Sequence, residues 1–401
     1  MISQLHIENF RSIEKATIDL GRITLLTGSN NSGKSSVLYA LQCLQGIRQN
    51  PNRPLDALFN LPSINLGDYK QVVHKKDITK DITLKVTLKD QEKYEVDYRL
   101  RLSKKISHIF YAINKPFYFG MGADTPFPFM GYSIDPVLVK IPNTDLELII
   151  KHDGLFITHE PANSYAITNE LKDNIDELFK EFNSFTHTME FVPIRRGFWN
   201  PSFGRVPLNF QINSEEEIAT QISLDFDLQG YISHYLEKIA GRKFNVRVIP
   251  NTAVFYLQTT DVKTGFTTDL VNEGTGTNQL VTMLAKALQP DKRFICIDEP
   301  EIHLHPSMIG KLVEALVEIS YTQNKQFMLS THSEHFVTCL LAEVVKKSLQ
   351  PADLKIYYLS KDDQRTNIEH QAVNANGQIE GGLKNFYEAE LTNLEAFFKL
   401  T

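Results

Sequence analysis

Residues 28–35 carry the glycine-rich pattern GxxxxGK[ST], with an apolar run before it and apolar residues at helical spacing after it. This order predicts a strand, a tight turn and a helix, which is the context in which the pattern binds phosphate. Glycines let backbone N–H groups close around a phosphate, and the helix N-terminus adds the positive end of its dipole. In such a loop Lys34 would place its charge beside the β- and γ-phosphates, and the Ser35 hydroxyl would bind Mg²⁺. The predicted nucleotide-binding residues are Gly28, Ser29, Asn30, Asn31, Ser32, Gly33, Lys34, Ser35 and Ser36.

Two adjacent carboxylates follow a second apolar run, residues 294–297. Because successive strand residues point to opposite faces, Asp298 and Glu299 are expected to have different roles. Asp298 is suited to hold the hydration shell of Mg²⁺, and Glu299 to orient and polarise the attacking water, which favours hydrolysis over binding alone. Two solvated acids at a strand end are the alternative, which the complete phosphate-binding pattern elsewhere in the chain disfavours.

Three histidines near the apolar runs are further candidates. His332 follows a third apolar run, where it could reach the γ-phosphate, although a histidine after a strand is also a common cap or turn residue. His303 and His305 have a spacing that suggests a metal site, but no third ligand is close by in the sequence. Structural histidines, or contacts across a subunit interface, are therefore favoured for this pair.

A second glycine-rich segment, residues 271–279, precedes an amphipathic helix. Gly274 and Gly276, with small hydroxyl residues around them, would form an anion-binding surface at the helix N-terminus. The chain has one phosphate-binding loop (P-loop) pattern, at residues 28–35, so no nucleotide of the same chain is expected at this second surface. The simplest arrangement places it against the nucleotide of a second copy of the chain.

The elements that must position these residues can be predicted from hydrophobic periodicity. Alternating apolar residues predict antiparallel strands at the N-terminus and between 79 and 111. Residues 112–166, which are rich in proline, glycine and aromatic residues, are expected to be irregular with short strands. Helices are predicted at 169–182, 215–239 and 279–288. Further strands are predicted at 294–297, 327–330 and 356–359, with a helix around 309–316 between the first two. No heptad pattern is sustained, which excludes a long coiled-coil arm.

The composition is that of a globular protein, with 401 residues, 42% hydrophobic residues and a net charge of −6. A chain that coats nucleic acid along its whole surface should be basic, so that class is disfavoured. No run approaches the roughly 18 apolar residues of a membrane span, and the first residues do not resemble a secretory signal. Three widely spaced cysteines fit a reducing cytoplasm and no disulfide or zinc framework.

Local basic clusters could still bind a nucleic acid. Solvated surface is the favoured interpretation of both clusters. Their members are Lys70, Lys75, Lys76 and Lys80 in one, and Arg195, Arg196 and Arg205 in the other.

Four segments together resemble the ABC-type ATPases of the SMC and RecF class. They are IENFRSIEKATIDLGRITLLTGSNNSGKSSVLYAL, LVNEGTGTNQL, ICIDEPEIHLHP and LSTHS. The last three are most similar to the prokaryotic OLD-like branch of predicted ATP-binding proteins. The resemblance covers about half of the chain and implies an α/β, ABC-type P-loop ATPase core, a mixed sheet with flanking helices. An inserted α+β lid subdomain would lie within it, so that residues 1–75 and 266–401 form the core and residues 76–265 the insertion.

The resemblance also implies roles for individual residues. Glu299 would be the catalytic glutamate, with Lys34 and His332, the switch histidine, completing the catalytic group. Gly274 and Gly276 would lie in the signature motif that caps ATP in trans. Two further positions are transferred from the family pattern: Gln71 as the Q-loop ligand of Mg²⁺, and Arg11 as a residue near the nucleotide.

The resemblance leaves the biological role open between two hypotheses. The first is an ATP-driven dimer switch in DNA maintenance or anti-phage defence. No TOPRIM nuclease domain is recognisable after the last core strand, so this switch is expected to act with a separate effector protein, and duplex DNA is a candidate ligand. The second is a protein-scaffolding nucleotide switch without a nucleic-acid role, which the negative charge favours. A phosphotransferase acting on a small molecule is disfavoured, because it gives no use to the second glycine segment.

Overall fold

The computed structural model describes residues 1–49, 55–89, 95–103, 107–114, 125–129, 137–140, 147–152, 157–161, 186–208, 214–363 and 365–380. The chain forms two compact units, each built from discontinuous segments. The first unit contains Met1–Leu20, Asn31–Met189 and Leu359–Ile368, and the second contains Gly21–Asn30, Glu190–Tyr358 and Glu369–Thr401. The three-part division of the chain expected from the sequence remains a proposal.

The described strands are numbered in chain order. They are β1 (Ile2–Phe10), β2 (Ile13–Asp19), β3 (Ile23–Gly28), β4 (Ile82–Lys89), β5 (Glu95–Leu102), β6 (Ser107–Asn114), β7 (Thr125–Phe129), β8 (Val137–Lys140), β9 (Glu147–His152), β10 (Ile157–Pro161), β11 (Met189–Val192), β12 (Phe203–Gly204), β13 (Arg242–Val248), β14 (Val254–Asp261), β15 (Thr267–Asp269), β16 (Phe294–Asp298), β17 (Gln326–Thr331), β18 (Leu354–Asp362) and β19 (Arg365–Gln371).

The described α-helices are numbered in the same way. They are α1 (Lys34–Gln49), α2 (Tyr69–Val72), α3 (Glu215–Leu224), α4 (Phe226–Ala240), α5 (Thr275–Ala287), α6 (Pro306–Thr322) and α7 (Glu334–Val345). Among the described residues, no helix combines the length and the apolar character needed to cross a bilayer. The helix predicted at 169–182 lies outside the described residues.

The first unit contains an antiparallel sheet in the order β2-β1-β4-β5-β6-β7. Alternate residues such as Leu5, Ile7, Leu84 and Val86 are fully buried, which confirms the period-two pattern predicted for this region. Helix α1 contacts β1 and β4. A separate sheet, β10-β9-β8, lies in the part of the chain that was expected to contain short strands.

The second unit contains the strands that end at the glycine-rich loop, at Asp298 and just before His332. The sheet order is β11-β16-β17-β3-β18-β19, and the chain passes between the units within β11, β18 and β19. Strands β3, β16 and β17 are buried along their whole length, as expected for parallel strands covered on both faces. Their apolar side chains join those of the helices in one core.

The helical segment predicted at 215–239 contains two helices, α3 and α4. Asp225 interrupts the helix and its side chain accepts a hydrogen bond from the backbone N–H of Leu228, so it begins α4. Ser214 and Glu217 form a capping box at the start of α3. An aspartate in an otherwise helical pattern is a preferred N-cap, which explains the division.

Candidate nucleotide site

Three parallel strands end at one edge of the sheet in the second unit. β16 pairs with β17 in a register that places Asp298 beside Ser330, and β17 pairs with β3 so that Thr331 lies beside Thr27. The polar residues that follow these strands therefore lie at the same edge. Gly28, Asp298 and His332 were predicted to follow strands, and the structure brings their strand ends together.

The glycine-rich loop begins in the second unit and continues in the first. Gly28 has a φ of 138° at the end of β3, and Ser29 and Asn30 are exposed. In the first unit Asn31 is exposed with a φ of 65°, and Gly33 has a φ of 107°. Such angles favour glycine, as a loop that turns its N–H groups towards a phosphate requires.

Thr366 contacts the same loop in the first unit. Its Oγ1 lies 2.9 Å from the Ser32 carbonyl oxygen and 2.7 Å from Ser12 Oγ. A Cβ on Gly33 would lie 2.5 Å from Thr366 Oγ1, so a side chain at Gly33 would collide there.

The Ser32 hydroxyl is buried without a hydrogen-bond partner. Lys34, Ser35 and Ser36 form the first turn of α1, with Lys34 and Ser36 buried. Tight backbone turns and an unused hydroxyl at a helix N-terminus fit a bound phosphate.

The two adjacent carboxylates occupy different backbone environments. Asp298 is the last residue of β16, it is buried, and its Oδ1 accepts a hydrogen bond from the Ser330 hydroxyl. Glu299 has left the strand with a φ of 50°, and its N–H donates to the Ser330 carbonyl oxygen at 3.0 Å. The sequence argument that alternation along one strand separates the two side chains is wrong, because the left-handed turn at Glu299 separates them.

Glu299 and His332 form a close pair. His332 Nδ1 lies 2.5 Å from Glu299 Oε2. The Glu299 side chain is only 9% exposed, whereas that of His332 is 55% exposed. The pair therefore joins a buried carboxylate to an imidazole that solvent or a ligand can reach.

Glu301 is a member of this cluster that the sequence analysis did not select. Its Oε1 accepts a hydrogen bond from the Thr331 hydroxyl, and its Oε2 is buried without a partner. One ligand atom from each of Glu299, Glu301 and His332 lies within 4.8 Å of the others. The pKa of Glu301 is raised to about 7, chiefly by burial and also by the charge of Glu299, against the opposing effect of the hydrogen bond from Thr331.

Arg196 binds the backbone of the residues that carry the two carboxylates. Its Nη1 donates to the carbonyl oxygens of Pro193 at 3.0 Å and Asp298 at 2.9 Å, and its Nη2 donates to that of Glu299 at 2.8 Å. Burial lowers the pKa of Arg196 to about 10, while the nearby carboxylates of Glu301, Asp298 and Glu299 oppose the shift. The assignment of Arg196 to a solvated basic surface is wrong, because the residue is 5% exposed. Arg195 and Arg205 are exposed.

The second glycine segment forms the N-terminus of α5, as predicted. Gly274 is the N-cap residue and is exposed, and among the described residues no heavy atom lies within 4 Å of a Cβ placed on it. A Cβ on Gly276 would lie 2.4 Å from the His303 carbonyl oxygen, so this glycine allows a close backbone contact within the chain. Glu273 Oε1 lies 2.8 Å from Arg242 Nη1 and accepts a hydrogen bond from Thr259.

The two remaining histidines fit the structural interpretation. His305 is the N-cap of α6, and its Nδ1 accepts a hydrogen bond from the Ser307 N–H at 3.2 Å. His303 has a φ of 61° in the turn before it. Among the described residues, one cluster of potential metal ligands is found, and it contains neither His303 nor His305.

Arg11 and Gln71 lie in the first unit. The Arg11 guanidinium is 5.5 Å from the centre of the Tyr39 ring on α1, and burial lowers the pKa of Arg11. Its backbone N–H donates to the Val72 carbonyl oxygen at 2.6 Å. Gln71 is exposed on the short helix α2, and its N–H donates to the Asp68 carboxylate at 2.9 Å. The nucleotide and metal roles assigned to Arg11 and Gln71 remain predictions.

Known structures share this fold. An SMC head domain bound to the C-terminal winged-helix domain of ScpA matches with a TM-score of 0.52 and 14% identity, over 93% of this chain and 98% of that one. An SMC head domain with an extended coiled coil, bound to a C-terminal domain of ScpA from Pyrococcus furiosus, matches with a TM-score of 0.50 and 12% identity over 99% of both chains. These matches show the α/β fold of an ABC-type P-loop ATPase core, and the P-loop begins at the edge where the parallel strands of that fold end. The P-loop and the family to which the chain belongs identify it as an ATP hydrolase.

A family model matches most of the chain and identifies it more specifically than the fold does. The chain belongs to the family described as "AAA domain, putative AbiEii toxin, Type IV TA system", whose profile matches residues 23–338. It is 22% identical over 381 residues to an ATP/GTP phosphatase of Helicobacter pylori, covering 91% of this chain and 94% of that protein. It is 26% identical over 368 residues to the endonuclease GajA of Bacillus cereus, covering 82% of this chain but only 55% of that protein.

Proposed function

We propose that the protein is a nucleotide-driven switch in which two copies close on ATP and hydrolysis separates them. The observation that carries this proposal is the pairing of buried Glu299 with exposed His332 at the edge where β3, β16 and β17 end. A buried carboxylate at that edge can accept a proton from an attacking water, and a paired imidazole can orient the carboxylate and sense the γ-phosphate.

The remaining site residues take the roles expected from the sequence. Lys34 neutralises phosphate charge, and Ser35 and Asp298 hold Mg²⁺ or its water shell, with Gln71 as an additional ligand. Bound Mg²⁺ would neutralise charge that develops on the phosphates. The buried Asp298 carboxylate at a strand end and the tight glycine turns of the P-loop support this assignment.

The second copy is proposed from the N-terminus of α5. Gly274 is exposed and offers a helix N-terminus to an anion, whereas the P-loop phosphate position belongs to the start of another helix, α1. A nucleotide held by a second copy would meet Gly274 and the N–H groups beside it. The switch would then couple nucleotide binding to association of the chains.

The biological setting is proposed from the relatives. A family described by a toxin system and a relative named as an endonuclease support DNA maintenance or anti-phage defence, within the OLD-like branch. The chain spans about half the length of that endonuclease. We propose a separate effector protein for any nuclease or toxin activity, as the resemblance implied. Cys43, Cys296 and Cys339 are free thiols, which supports a cytoplasmic location. The alternative is a protein-scaffolding switch with no nucleic-acid ligand, which the net charge of −6 favours.

Steady-state ATP hydrolysis with and without duplex DNA tests the proposal. Glu299→Gln should lower turnover by about 10²–10⁴-fold, because a general base contributes that much, while ATP binding persists and the closed pair accumulates in size-exclusion chromatography. Lys34→Ala should abolish both turnover and pair formation. Turnover by Glu299→Gln at the wild-type rate would refute the catalytic assignment. Stimulation by DNA would support the first setting, and its absence with sound basal turnover would support the scaffolding switch.

A further inference from the structure

We propose that Glu299, Glu301 and His332 form a binding site for a divalent transition-metal cation, with Zn²⁺ as the expected occupant. The three side chains follow the ends of β16 and β17 in the second unit, and their ligand atoms lie within 4.8 Å of one another. This site would be separate from the Mg²⁺ site proposed at Asp298 and Ser35, and it uses none of that site's ligands.

The carboxylates of this cluster are buried, unlike those of an ordinary acidic surface. The Glu299 side chain is 9% exposed and Glu301 is 7% exposed. Burying two carboxylates beside each other is costly unless a proton or a cation neutralises part of their charge. The buried charge of Arg196 offsets part of this cost, and a second positive partner at the free Glu301 oxygen would offset more of it.

Glu301 supplies the second observation, which points to a ligand. Its Oε1 accepts a hydrogen bond from Thr331, but its Oε2 is buried and has no hydrogen-bond partner. Buried polar atoms in native proteins are nearly always paired. The nearby Arg196 does not serve this oxygen, because its Nη atoms donate to backbone carbonyl oxygens. A cation between Glu301, Glu299 and His332 would satisfy the free oxygen.

The donor set selects the type of cation. Two carboxylate oxygens and one imidazole nitrogen are ligands that Zn²⁺ accepts, whereas Mg²⁺ prefers oxygen ligands alone. Three protein ligands leave the fourth tetrahedral position for water. His332 is 55% exposed, which provides an entry path. On binding, the ion would displace the proton between His332 Nδ1 and Glu299 Oε2 into the solvent, and both side chains would move apart around the ion.

Occupation of the site would have a consequence for hydrolysis, and this consequence rests on the proposed function. Glu299 cannot both coordinate Zn²⁺ and accept the proton of an attacking water. Bound Zn²⁺ should therefore inhibit ATP turnover. Metal binding itself does not depend on ATP hydrolysis and can be measured without nucleotide.

The test is a titration of the nucleotide-free, chelator-treated full chain with Zn²⁺ in a calorimeter, with visible absorption of Co²⁺ as a second probe. We expect one ion per chain and Co²⁺ bands of a four-coordinate site. Glu301→Gln and His332→Ala should each weaken binding by at least about 10-fold. His332 is largely exposed, so its variant should fold, and circular dichroism verifies both proteins. In a parallel ATPase assay, Zn²⁺ should inhibit the wild type but not Glu301→Gln.

The matched control is His335, another exposed histidine with a potential ligand beside it. His335 Nε2 lies 3.8 Å from Cys339 Sγ, so His335→Ala and Cys339→Ala remove a competing site. Both controls should leave Zn²⁺ binding unchanged. The proposal is overturned if Zn²⁺ does not bind saturably, if a control abolishes binding, or if Glu301→Gln and His332→Ala bind like the wild type. Absent ATPase activity with intact Zn²⁺ binding would refute only the proposed function.

Discussion

Two turns of the second unit, one rich in carboxylates and one rich in glycine, are organised in opposite ways. The carboxylate loop, which we define as residues 298–305, is fixed by contacts within the chain: Arg196 binds its carbonyl oxygens, and Ser330 and Thr331 bind its carboxylates. The glycine turn, residues 273–276, has one face packed on His303 and leaves Gly274 exposed. The chain therefore arranges the groups of the proposed hydrolytic centre by itself and leaves the proposed phosphate-capping surface open.

This difference has a physical basis in burial. Carboxylates at a buried strand end need hydrogen bonds from the protein, because water cannot supply them. N–H groups at an exposed helix N-terminus are solvated and can exchange water for an anion when a partner brings one. The following predictions test this comparison through changes in the free energy of unfolding.

Replacement of Arg196 by methionine should have the largest effect on the carboxylate loop. Arg196→Met removes buried donors from the carbonyl oxygens of Pro193, Asp298 and Glu299, of which Glu299 keeps the Ile302 N–H at 3.3 Å, and each buried hydrogen bond lost without a substitute costs about 1–3 kcal/mol. We expect a loss of about 3 kcal/mol in the free energy of unfolding, measured by urea denaturation, together with a loss of ATP turnover.

The adjacent arginine provides the matched control. Arg195 is exposed, so Arg195→Met should change the free energy of unfolding by less than about 0.5 kcal/mol. Equal stability of the two variants would show that the carboxylate loop does not depend on Arg196.

Residues that act through a local pattern were predictable from the sequence, and those that act across the fold were not. The strand, turn and helix around Gly28 and Lys34 follow from local periodicity, as does the position of Asp298 at a strand end. Arg196 is separated from Asp298 by about a hundred residues, and an arginine beside another arginine resembles a surface pair. Its burial follows only from the packing of the second unit.

The cluster around Glu301 shows a second limit of sequence analysis. Glu301 follows Glu299 by two residues, but the left-handed turn at Glu299 and the hydroxyl of Thr331 determine where its carboxylate lies. The sequence contained one signal that was not used, a third carboxylate separated from Asp298 and Glu299 by Pro300 alone. The division of the helix at Asp225 was likewise visible as an N-cap residue inside a helical pattern.

Gly276→Ser should have the second largest effect, on the packed side of the glycine turn. A Cβ there would lie 2.4 Å from the His303 carbonyl oxygen, and neither backbone can move without disturbing α5 or the carboxylate loop. Overpacking of this kind costs about 1–3 kcal/mol. Thermal and urea unfolding should both reveal the loss. A variant as stable as the wild type would mean that the two turns are not packed tightly.

The opposite end of α5 gives a smaller, pH-dependent effect. Lys325 Nζ donates to the carbonyl oxygens of Ala287 at 2.6 Å and Gln289 at 2.7 Å, and burial lowers the pKa of Lys325 from 10.5 to about 7. Between these two values the unfolded chain binds more protons than the folded chain, so the stability from this group increases with pH. Below pH 7 the cost of burying the charge is fully present.

Lys325→Met should remove this pH dependence. The difference in free energy of unfolding between wild type and Lys325→Met should change by up to about 1.4 kcal/mol per pH unit between pH 7 and pH 10, in favour of the wild type at higher pH. Lys311 is exposed on α6, and Lys311→Met should follow the wild-type profile. Parallel profiles for all three proteins would contradict the lowered pKa.

Gly274→Ser should have the smallest effect on stability, and it completes the comparison because it makes at the open side the same change that Gly276→Ser makes at the packed side. Gly274 has a φ of −58° and a ψ of 142°, which a serine adopts without strain, and serine is a preferred N-cap residue. The free energy of unfolding should therefore change by less than about 0.5 kcal/mol. Urea denaturation of the two serine variants in the same buffer measures the contrast. A large loss of stability in Gly274→Ser would show that the chain itself covers this turn, and the surface would then not be free to meet a nucleotide on a second copy.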